Sequence, residues 1–107
     1  MKQSDVLRSL AALSQANRLK AFRALVAAGP AGSTPSAIGR RLKVQPATLS
    51  FHLKELMNAR LVTQERDGRN LIYRADYAHM SGLLAYLTEN CCKGMRASGP
   101  TQDACEC

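Results

Sequence analysis

Residues 35–62 read PSAIGRRLKVQPATLSFHLKELMNARLV, and the punctuation of this stretch decides the fold. Thr34 is a good N-cap, and Pro35 has the fixed φ that suits a first helical position, so a short helix is expected over residues 35–42. Ile38 and Leu42, four apart, form its inward side. Lys43, Val44 and Gln45 make a turn, and a second helix starts at Pro46 with Leu49, Leu53 and Leu56 as its apolar stripe. Beyond it the period changes. Residues 61–66 and 70–74 read as two strands joined through Asp67 and Gly68, a strong hairpin signal. A short helix, a tight turn, a longer helix and a two-stranded ribbon make a winged helix-turn-helix. In such a unit the second helix enters the major groove of DNA and the ribbon reaches along the backbone.

Upstream, residues 4–13 begin with Ser4 as a cap and place Val6, Leu7, Leu10 and Leu13 at helical spacing. A further helix follows Ser14, with Leu19, Phe22, Leu25 and Val26 on one face and Arg18, Lys20 and Arg23 elsewhere, until GPAG at 29–32 stops it. Downstream, a final helix is expected over residues 76–90, carrying Met80, Leu83, Leu84 and Leu87. Leu83, Leu84 and Leu87 exceed what one small core needs to bury, which points to a dimer. Residues 93–107, with Gly94, Gly99 and Pro100, show no period and are expected to be a flexible tail behind a single domain of residues 1–92. The expected class is therefore mostly α with a β-hairpin wing.

At 107 residues the chain suits one core. No stretch nears the roughly 20 apolar residues that cross a bilayer, and the first residues lack the apolar run of a signal peptide. A cytoplasmic protein with no membrane partner is expected. The net charge is +7, but its distribution matters more: residues 1–32 carry +4, residues 33–75 carry +5 and residues 76–107 carry −2. A basic body fits a polyanionic partner, although a solvated basic surface gives a similar total.

With the leucine stripe turned inward, the helix from Pro46 presents Gln45, Ala47, Thr48, Ser50, Phe51 and Lys54 outward. Gln pairs with adenine, Thr and Ser serve several bases, Phe lies against thymine methyls, and Lys54 with the helix N-terminal amides suits phosphates. Phe51 packing on a neighbouring helix is the competing role. His52 borders the inward stripe and is expected to be a structural hydrogen-bonding residue, with base reading as the competing role. Arg66 and Arg69 flank the wing tip, as DNA contacts or as solvated hairpin charges. Such binding to double-stranded operator DNA requires no cofactor. No phosphate loop, nucleophile motif or His-rich metal site marks an enzyme.

Residues 35–62, and ERDGRNLIYRADY after them, resemble the ArsR/SmtB family of metal-responsive repressors, most specifically through PATLSFHLK (46–54) and the hairpin with Tyr73. The resemblance covers roughly residues 4–92. It implies a homodimer built through the first and last helices, binding to an inverted repeat, and release when a metal binds. The chain departs from the pattern in three places. Arsenic-responsive members of the best-known type carry Cys-Val-Cys before the recognition helix, where this chain has GSTPS at 32–36. The usual Gly after that helix is Arg60, at a cost of about 1 kcal/mol if the backbone is left-handed there. The final-helix zinc site of other members needs several His, and here only Asp76 and His79 are present. Relatives with Asn-Cys-Cys at the end of the last helix use that pair with one further tail cysteine, and ENCC at 89–92 resembles them.

The cysteines point the same way on chemical grounds. All four, Cys91, Cys92, Cys105 and Cys107, lie in the last 17 residues, outside the expected core, where they would staple nothing. Thiolates select soft ions, and trivalent arsenic takes three of them in a pyramid. Cys91 and Cys92 supply two. The 12 residues at 93–104 reach about 20 Å, enough to return Cys105, or Cys107 in its place, as the third. Arsenite is the expected inducer, with antimonite possible by the same chemistry. A cadmium or zinc site, a thiol redox switch, an arsenic carrier and incidental thiols stay open.

Overall fold

The computed structural model describes residues 1–90. The element order is α1 (Gln3–Leu13), α2 (Ala16–Ala28), a 3-10 turn (Gly29–Ala31), α3 (Pro35–Leu42), α4 (Pro46–Asn58), β1 (Val62–Asp67), β2 (Asn70–Ala75) and α5 (Tyr77–Leu87). This is the mostly helical winged helix-turn-helix expected from the sequence. Side-chain caps start three of the helices. The Gln15 side chain accepts from the Arg18 amide at 2.8 Å, Thr34 Oγ1 from Ala37 at 3.3 Å and Asp76 Oδ1 from His79 at 3.0 Å. The α1 helix differs from expectation: it starts before Ser4, behind Lys2, without a side-chain cap.

Phe22, Leu25, Ile38, Leu49, Leu53, Leu56 and Leu61 form the core, joined from the wing by Tyr73. Complete burial of one such leucine contributes about 1.5–3 kcal/mol, so the α4 stripe alone fixes that helix firmly against α1, α2 and α3. Leu61 follows α4 in a Schellman turn. Its amide donates to Leu56 O at 3.0 Å, and the Arg60 amide donates to Met57 O at 2.9 Å. Arg60 takes the left-handed conformation, φ 65°, that such a turn demands and that glycine adopts freely.

The wing is a two-stranded antiparallel ribbon in which Val62 pairs with Ala75 and Asp67 with Asn70. Its loop is Gly68 and Arg69, one residue later than the expected Asp67–Gly68 centre, and Gly68 supplies the positive φ (64°) at the first loop position. The ribbon is tied to the body by Ser33, which exchanges both backbone hydrogen bonds with Tyr73 at 2.9 and 2.8 Å. Gly32 makes this approach possible. Its φ is 69°, and a Cβ there would lie 2.5 Å from the Tyr73 carbonyl oxygen.

The stripes on α1, α2 and α5 differ from the expected ones. In α1 the buried residues are Val6, Ser9 and Ala12, while Leu7 and Leu10 face outward. Leu19 of α2 is exposed as well. In α5 only Leu83 is buried within the subunit, whereas Leu84 and Leu87 stand 54% and 52% exposed, and the helix ends at Leu87, before the expected Asn90.

Candidate nucleic-acid interface

The turn between α3 and α4 is short because Lys43 is left-handed (φ 57°) and the Val44 amide reaches back to Gly39 O at 3.0 Å. Pro46 then starts α4 at once. Since Leu49, Leu53 and Leu56 point into the core, helical geometry directs Ala47, Phe51 and Lys54 the opposite way, with Thr48 and Ser50 to either side. All five are exposed, as is Gln45 just ahead of the helix. The outward face of α4 is thus polar, rimmed by a cation, and centred on one large apolar ring. Phe51 is 56% exposed; it does not pack away on a neighbouring helix, and its closest aromatic partner is His52, centroid to centroid 5.9 Å.

His52 is buried, but its expected structural hydrogen bond is missing at one nitrogen: Nδ1 has no partner among the described residues. Burial, and secondarily the Arg18 guanidinium, push its pKa below the ordinary 6.5. Burial thus disfavours the charged form of a ring that lies between the exposed face of α4 and the core.

Two residues that sequence reasoning missed adjoin this surface. A groove of about 480 Å³ runs between α3 and α4, bordered by Pro35, Ser36, Arg40, Pro46 and Ser50 over a floor that includes Leu49. Ser36 and Arg40 are exposed and offer a hydroxyl and a guanidinium to a strand crossing the two helix starts. The only sequence signal was the basic pair Arg40 and Arg41 in the first helix of the motif.

On the wing, Arg66 and Arg69 are exposed on the outer ribbon and its loop. Arg74 has another role. It pairs with Glu65 at 2.6 Å and donates from Nε to Pro30 O at 2.7 Å, anchoring the ribbon to the turn ahead of α3. Gln64 donates to the Tyr73 hydroxyl at 2.7 Å across the same ribbon. The wing thus projects from a fixed stem with its arginines at the tip.

Cys91, Cys92, Cys105 and Cys107 lie outside the described residues, and among the described residues no group of three His, Cys, Asp or Glu side chains could hold a metal. Asp76 is taken up as the cap of α5, and His79 Nε2 lies beside Ser9 Oγ. No described helix is long and apolar enough to cross a membrane.

Residues 13–65 match a family model described as a helix-turn-helix domain. No curated protein matches the chain. Among solved structures, an ArsR-like transcriptional regulator from Rhodococcus sp. RHA1 superposes with a TM-score of 0.74 at 26% identity, over 94% of this chain and 93% of that one. The homodimeric winged helix-turn-helix DNA-binding domain of a possible ArsR-family transcriptional regulator from Mycobacterium bovis gives 0.64 at 27% identity, with 81% of each chain covered. The transcriptional repressor BigR from Xylella fastidiosa, 24% identical, shares the fold, with a TM-score of 0.64 over 83% of this chain and 88% of that one.

Proposed function

We propose that the chain is a member of the ArsR family of winged helix-turn-helix transcriptional regulators, two of which it resembles at 26% and 27% identity, and that it is a homodimeric, metalloid-responsive repressor. The observation that carries the DNA-binding part is the outward face of α4, where Phe51 stands exposed among Gln45, Thr48, Ser50 and Lys54. An exposed aromatic ring on a helix already anchored by three buried leucines serves no purpose in the isolated subunit. Against thymine methyl groups it has one.

The dimer is read through α1 and α5. Leu7 and Leu10 on α1, and Leu84 and Leu87 on α5, are pairs three residues apart that the subunit leaves exposed. The related domain from Mycobacterium bovis is homodimeric. A two-fold dimer presents two copies of α4 and so reads an inverted repeat whose half-sites lie about one helical turn apart.

The inducer is trivalent arsenic, or antimony by the same coordination, held by Cys91 and Cys92 with Cys105 or Cys107. This reading rests on the thiol chemistry and on the family resemblance of ENCC at 89–92. Binding beside α5 would favour a dimer geometry in which the two α4 helices no longer match successive major grooves. The ion must prefer the free dimer by several kcal/mol to clear the operator.

Fluorescence anisotropy with a labelled operator tests the DNA-binding face. Phe51→Ala and Thr48→Ala should each weaken specific binding by about 1–3 kcal/mol, whereas Arg69→Ala should weaken all sequences alike and reduce the salt dependence. Unchanged operator affinity in the α4 variants would show that this face does not read DNA.

A further inference from the structure

A second groove, of about 320 Å³, lies between α2 and α3, with Ala24, Ala27 and Leu42 as its apolar part and Lys20, Arg23 and Arg41 around it. The four α2 residues recur at helical spacing and so form one face of that helix. The three cations are exposed and make no ion pair among the described residues. The sequence around them offers no counter-charge: residues 6–54 hold eight Lys or Arg and not one Asp or Glu. An ordinary solvated surface intersperses both signs. Here three like charges border one apolar depression, an arrangement relieved by an anionic partner.

DNA held by α4 is not that partner. The α3 helix turns Gly39 and Arg40 toward the α4 groove and Arg41 and Leu42 toward the α2 groove, so the two openings lie on different sides of one helix. Phosphates would satisfy the cations but have no use for an apolar floor of two alanines and a leucine. We propose that the Lys20–Arg23–Arg41 groove docks an acidic segment of another protein, whose aliphatic side chains fill the floor while α4 remains on DNA. The association is steered by charge and weakens with salt.

The proposal takes DNA binding by α4 as given, so the test begins with full-length protein whose saturation of an operator duplex has been measured separately. Onto this complex a short fluorescein-labelled peptide is titrated, composed of Glu with Leu at positions i, i+3 and i+4. Its anisotropy should rise, and added salt should reverse the rise. The charge reversals Lys20→Glu, Arg23→Glu and Arg41→Glu together should weaken peptide binding by about tenfold or more, measured at a protein concentration that keeps the operator saturated. Ala27→Gln, at an exposed helical position, should weaken the peptide with every charge intact. Three results would overturn the proposal. They are no peptide binding to the operator complex, equal binding of an all-Glu peptide, or undiminished peptide binding by the charge-reversed protein.

Discussion

His79 Nε2 on α5 lies 2.8 Å from Ser9 Oγ on α1, seventy residues apart in sequence, and Ser9 is completely buried. The hydroxyl donates when that nitrogen is bare and accepts when it carries the proton. Among the described residues this is the side-chain hydrogen bond that links the two helices whose exposed leucines we assign to the dimer. Ser9→Ala should cost about 1–2 kcal/mol of stability, read as a lower urea midpoint, and should also weaken subunit association. A variant with unaltered midpoint and dimer constant would show that the contact carries no load.

The exposed leucines give a more direct test of the dimer. Leu84→Arg with Leu87→Arg removes no buried side chain from the subunit, so the fold should survive. Sedimentation should then report monomer where wild type reports dimer at the same micromolar concentration. A dimeric double variant would move the interface elsewhere.

Arg60 occupies a left-handed position that disfavours a side chain with a Cβ. Arg60→Gly should therefore raise stability by about 1 kcal/mol, seen as a higher urea midpoint with an unchanged denaturant slope. A drop would mean that Arg60, which borders a cleft with Asp5, Asp76 and His79, contributes more through its guanidinium than its backbone costs.

Stability should also depend on pH through His52, whose pKa is lowered from 6.5 chiefly by burial. Above 6.5 the ring is neutral in the folded and unfolded chain alike, and its contribution is constant. Below 6.5 the unfolded chain takes up a proton that the folded chain resists, so stability falls as pH falls toward the lowered folded value. Urea midpoints between pH 7.5 and 5.5 should decline less steeply in His52→Gln than in wild type. Parallel declines would place the titration elsewhere.

Much of this fold was legible because its signals are local. Thr34 before Pro35, Pro46 opening α4, and the Leu49, Leu53 and Leu56 stripe each rest on short-range chemistry, and the bounds of α3 agree with the expectation. The outward face of α4 followed from that stripe. Arg60 was suspect because the resembling family usually has Gly there, and its positive φ bears the suspicion out. The burial pattern of α1 was not legible. Its largest apolar residues, Leu7 and Leu10, attract a reading as core, yet the subunit buries Ser9 and Ala12 where α1 approaches its neighbours closely. A helix with two apolar faces does not declare which belongs to its own subunit. The grooves beside Ser36 and Arg40, and beside Lys20 and Arg41, depend on how α3 packs between α2 and α4, and no spacing within one helix encodes that. The cysteines remain a matter of sequence chemistry.

The central claim is that thiolate capture of trivalent arsenic releases this regulator from DNA, and one measurement bears on it most directly. Labelled operator saturated with the reduced protein is titrated with arsenite, and anisotropy is followed for wild type, for Cys91→Ser with Cys92→Ser, and for Cys105→Ser with Cys107→Ser. All three proteins should bind the operator alike before arsenite is added. Wild type should then be released, and both double variants should stay bound, since each leaves two sulfurs per subunit where a three-coordinate ion needs three. Undiminished release of the Cys91 and Cys92 double variant, or a wild type that arsenite leaves on its operator, would contradict the account.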